Sequence, residues 1–112
     1  MLTVSATLPP NMAAPLKNQN PESTEAVAHR LKQTREAMKL TQVAWCKLVG
    51  IATPQWNNYE SGGRRITVDA ALKVCRATGV GLNWIYRGWE NDVPINLATV
   101  IKESERGARK RS

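Results

Sequence analysis

The nine residues from Ile51 to Tyr59, IATPQWNNY, carry no charge, although the chain as a whole has a net charge of +7. Thr53, Gln55, Asn57 and Asn58 are the members of this run expected to point outward, and Pro54 joins them in the candidate base-reading set. A carboxamide holds a donor and an acceptor side by side, which is the pattern needed to bond two neighbouring groups on a base edge. Asn58 is the best candidate for bidentate contact with adenine, assisted by Asn57 and Gln55. Covalent chemistry has no comparable support. His29 stands alone, no paired carboxylates or nucleophile elbow occur, and Gly62-Gly63 matches no phosphate-binding loop. One histidine and two cysteines do not by themselves make a four-ligand zinc site, and no metal or cofactor is expected. The residues describe a binding protein, not an enzyme.

The amides need a rigid support, and the stretch from Thr41 to Gly62 supplies one. It reads as two short helices joined by a tight turn. Gln42, Cys46 and Gly50 recur at intervals of four, with Gly50 where the first of these helices must stop. Glycine holds a left-handed backbone there at little cost. Cys46 is small, as a residue must be where two helices cross closely. Trp45, Leu48 and Val49 make one apolar face, and Trp56 and Tyr59 a second. The pattern is a helix-turn-helix whose second helix is the reader.

Residues 30–88 resemble the DNA-binding domain of the phage repressor and Cro family, the XRE-type regulators. The matching landmarks are LTQ at Leu40–Gln42, small Cys46, Gly50, YESG at Tyr59–Gly62, and GVGLNWIYRG at Gly79–Gly88. The resemblance implies an all-α, five-helix, lambda-repressor-like domain that binds duplex DNA as a homodimer and regulates transcription, most often as a repressor on a palindromic operator. It also implies a cytoplasmic protein, bacterial or phage-encoded and nucleoid-associated, and it names no small-molecule effector. Arg35 lies four residues after Leu31 and Glu60 four after Trp56, each on a face that should be buried, so the two opposite charges are expected to pair. Family members often link these two positions. Gln42, Ser61, Arg64 and Arg65 are expected to meet phosphates, as is one edge of Arg35. The sequence departs from the family at Ala52, where Ser or Thr is usual. Thr53 as N-cap with Pro54 at the first helical position offers a replacement.

Around this core the chain divides into three. Residues 1–22 hold four of the six prolines and little periodicity, and are read as a flexible arm. Residues 23–88 form the DNA-binding domain. Its first helix is capped by Ser23 or Thr24 and turns Val27, Leu31, Thr34 and Met38 inward. Its fourth is capped by Thr67 and turns Val68, Ala71, Leu72 and Cys75 inward. Its fifth contributes Leu82, Trp84 and Ile85. Residues 89–112 form an extension with a short helix at 94–102 and a basic, disordered tail at 103–112. Trp89, Ile95, Leu97, Val100 and Ile101 are the expected dimer interface, since the resembling domain closes at Gly88 without them; the alternative is that the short helix folds back onto its own domain and extends the core.

Charge follows the same division. Residues 23–88 carry ten Lys or Arg against four Asp or Glu, and 102–112 carry five against two. Basic character attracts nucleic acid, anionic membrane or acidic protein alike. No 18-residue apolar run occurs, so no membrane span is expected, and the first residues lack the basic and apolar regions of a signal peptide. Cys46 and Cys75 are read as buried reduced thiols. Two other readings remain open from the residues: an antitoxin-like module using the apolar 94–101 segment on a protein partner, and a non-specific nucleic-acid protein.

Overall fold

The computed structural model describes residues 20–111, and side chains through Gly107; the expected flexible arm lies almost wholly outside these residues. Six α-helices follow one another, α1 (Thr24–Ala37), α2 (Gln42–Val49), α3 (Thr53–Glu60), α4 (Val68–Thr78), α5 (Leu82–Arg87) and α6 (Ile95–Arg111), with a 3₁₀ turn at Glu90–Asp92. No strand occurs among the described residues.

The helices start and stop where local chemistry dictates. Ser23, Thr41 and Thr67 cap α1, α2 and α4, each side-chain oxygen accepting from the N–H three residues on. Gly50 ends α2 with φ at 81°, and the left-handed residue directs the chain into α3. At α3 the cap differs from expectation: Ala52 takes the N-cap position, Thr53 is already helical, and no side chain caps the helix.

The core is built on Val27 and Leu31 of α1, Trp45 and Val49 of α2, Trp56 and Tyr59 of α3, Val74 of α4, and Trp84 and Ile85 of α5. The Trp45 and Trp56 rings lie 5.4 Å apart, and Tyr59 meets Trp56 edge-on. Three apolar residues expected inside stand out instead: Leu48 is 50% exposed, Val68 55% and Leu72 37%. On α4 the inner face belongs to Ala70, Ala71 and Val74. Two alanines let α4 approach its neighbours closely, so the larger Val68 and Leu72 are left on the flank.

The C-terminal segment also differs. α6 is a continuous helix through Arg111, longer than the expected 94–102, and it takes in the residues read as a disordered basic tail. It packs on α1, with Leu97 and Ile101 buried in the chain's own core. Two of the five expected dimer residues are thereby consumed within one chain. Val100 is half-buried against the same core, while Trp89 is exposed and Ile95 is 84% exposed.

Candidate nucleic-acid interface

Two residues fix how α3 sits on the rest of the molecule. Arg35 Nε donates to Glu60 Oε2 at 2.6 Å and Nη2 to Glu60 Oε1 at 3.3 Å. The side chains are 11% and 5% exposed. Nη1 donates to the Leu40 carbonyl at 2.8 Å, so each guanidinium nitrogen is engaged inside the molecule. Nη1 and Nη2 each retain one further N–H, and the bonds to Glu60 and Leu40 hold the guanidinium in a fixed pose.

Glu60 gathers two further donors. Gln42 Nε2 reaches Oε1 at 3.0 Å, and Trp56 Nε1 reaches Oε2 at 2.5 Å. Burial pushes the Glu60 carboxyl up, but the hydrogen bonds from Arg35, Gln42 and Trp56, together with the Arg35 charge, outweigh burial and hold it below the usual carboxylate range. Arg35 moves the other way, raised chiefly by its bond to Glu60 against the opposing effect of burial. One carboxylate thus ties the end of α3 to α1 and to the start of α2.

With α3 fixed, its outer face is well defined. Pro54, Gln55, Asn57 and Asn58 are exposed, while Trp56 and Tyr59 point inward. Gln55 Nε2 donates to the Tyr59 hydroxyl at 2.7 Å, which steadies the amide one turn along the helix. The Asn58 backbone is pinned, its carbonyl accepting from the N–H groups of Gly63 at 3.0 Å and Arg64 at 3.2 Å. Its carboxamide is exposed and has no hydrogen-bond partner among the described residues. Thr53 is different. It is half-buried and lies near the Cys46 thiol of α2.

Around this face lie the expected phosphate contacts. Gln42 gives one N–H to Glu60 and retains a second at the N-terminal turn of α2. The free backbone N–H groups of such a turn favour an anion. Ser61 Oγ donates to the Asn58 carbonyl at 3.2 Å. Arg64 is exposed in the loop after α3, and Arg65 donates through Nη2 to the Glu22 carbonyl at 2.7 Å.

One positioning residue escaped the sequence reading. Arg30 is buried and donates through Nε and Nη2 to the Ile85 carbonyl, at 3.1 and 3.0 Å, with a further bond to the Pro21 carbonyl. Beside it Trp84 Nε1 donates to Thr34 Oγ1, which donates to the Arg30 carbonyl. These bonds lock α5 to α1. The signal was present, because Arg30 falls three residues after Val27 and four before Thr34 on the inward stripe.

Among the described residues no helix is long and apolar enough to cross a membrane. Searches of curated proteins and of solved structures give no significant match. A family model described as a helix-turn-helix domain matches residues 26–83, from early α1 into α5 and just over half the chain. With its two-helix unit, αL glycine turn and outward amide face in place, the chain belongs to the helix-turn-helix domain family, in keeping with its resemblance to the XRE-type regulators.

Proposed function

We propose that this chain is a sequence-specific, double-stranded-DNA-binding regulator of transcription that acts as a homodimer on a palindromic operator, as a repressor that excludes polymerase from a promoter. The observation that carries the reading is the α3 face, where Asn57 and Asn58 present uncharged amides from a helix locked by the Arg35–Glu60 pair. In this account Asn58 reads adenine, with Asn57 and Gln55 contacting neighbouring bases and Pro54 and Thr53 at the entry of the helix. Gln42, Ser61, Arg64 and Arg65 hold phosphates and set the register. Residues 23–88 are the DNA-binding unit, and 89–112 add a helix that buttresses it from behind α1. The chemistry is binding alone, without catalysis or cofactor, and it belongs in the cytoplasm.

The antitoxin-like alternative depends on a free apolar segment at 94–101. Leu97 and Ile101 of that segment are already packed on the chain's own core, which weighs against it.

The test is selection from a random duplex pool by the full chain, followed by sequencing of the retained DNA. The expected result is one enriched motif, repeated with inverted symmetry at a centre-to-centre spacing of about 10–10.5 base pairs. Retention of duplexes with no enriched motif would contradict base reading.

A further inference from the structure

A homodimer needs a self-complementary surface, and the apolar residues of α6 that lie inward are spent. α4 carries another. Its buried residues Ala70, Ala71 and Val74 leave Val68 and Leu72 exposed, one turn apart, with half-buried Cys75 continuing the row. At about 100° per residue, these three fall within about 60° of one another on the helix surface. Asp69 and Arg76 border the row on its solvent side, one near each end of the helix. Neither has an ion-pair partner among the described residues.

We propose that this flank of α4 is the contact with a second copy of this chain. A two-fold contact requires that whatever residue i meets, its equivalent meets in return. Two α4 helices crossing antiparallel at Leu72 satisfy that condition. Leu72 packs on its equivalent, and each Val68 turns toward the partner's Cys75. Asp69 of each chain then faces the partner's Arg76, so both ends are closed by opposite charges. A parallel crossing would set like charges together. The row starts three residues beyond Arg65, in the helix that follows the loop after α3. This inference rests on the DNA-reading proposal for its purpose, but the surface can be tested without DNA.

The experiment is sedimentation equilibrium of the full chain over a range of concentrations, with four variants: Leu72→Glu, Asp69→Arg, Arg76→Asp, and the last two combined. Helical circular dichroism checks that each remains folded. The expected result is a concentration-dependent dimer, weakened at least tenfold by each single substitution. The combined reversal should return to within threefold of the original dissociation constant. A chain monomeric at every concentration, a dimer indifferent to Leu72→Glu, or a double reversal no better than the singles would each overturn the contact. Duplex selection separates the two proposals. A monomer that still enriches a half-site defeats only the α4 contact, whereas a charge-rescued dimer that enriches no sequence defeats only base reading.

Discussion

Glu60 accepts hydrogen bonds from residues of α1, α2 and α3, so one carboxylate controls the pose of α3. Desolvating such a pair offsets much of its attraction, which makes orientation and not net stability its main effect. Removing one member is another matter. Glu60→Ala leaves Arg35 buried and unpaired, and the expected loss is about 3–5 kcal/mol in urea unfolding. Replacing both residues by apolar ones of similar volume should cost much less, and a double-mutant cycle reads the coupling. The pH dependence follows from the depressed Glu60 value. The stabilisation is complete above the unfolded carboxylate pKa of about 4.3 and disappears as pH falls through the lower folded value. The urea midpoint of the parent chain should therefore fall more between pH 7 and pH 3 than that of Glu60→Gln. Arg35 and Glu60 were legible because each lies four residues from an apolar neighbour on a face that must be buried. Arg30 has the same position on the stripe but no complementary carboxylate to suggest a partner. Its acceptors are main-chain carbonyls, which sequence does not distinguish.

At the level of elements, caps and glycine stops were readable because they depend on a few adjacent residues. Ser23, Thr41 and Thr67 occupy the cap positions that their side chains favour. The start of α3 was misplaced by one residue because Thr53 is a good cap by type, while the turn from Gly50 sets the helical boundary at Ala52. The uncapped start leaves room for improvement. Ala52→Ser should stabilise the chain by about 0.5–2 kcal/mol, measured as a shift in the urea midpoint with unchanged slope. The inner face of α4 was misread for a different reason. Residue hydrophobicity favours Val68 and Leu72, but close helix approach favours Ala70 and Ala71, and only the three-dimensional crossing decides between them.

For the molecule as a whole, the C-terminal segment shows where sequence reading ran out. The five-helix resemblance closes at Gly88, and nothing in residues 94–101 says whether their apolar face meets the same chain or another. In the fold, α6 lies along α1, and Gln33 Nε2 donates to Glu105 Oε2 at 2.7 Å across the seam. Cutting the chain after Gly88 removes the burial of Leu97 and Ile101, at about 1.5–3 kcal/mol each. The expected outcome is a stability loss of about 3–6 kcal/mol in urea unfolding. An unchanged midpoint would mean that α6 does not buttress the core in solution. The outward amides of α3, by contrast, were legible from residue type alone, because a charge-free run in a basic chain is hard to reconcile with an ordinary solvated surface.

The central claim is that α3 reads bases through Asn58, and anisotropy titration of the selected duplex and of a random one tests it most directly. Asn58→Ala is predicted to lose about 1–3 kcal/mol on the selected site while leaving random-duplex affinity almost unchanged. Arg64→Ala serves as the contrast, weakening both duplexes alike and lowering the salt slope by about one unit. Equal losses on both duplexes for Asn58→Ala would contradict the account.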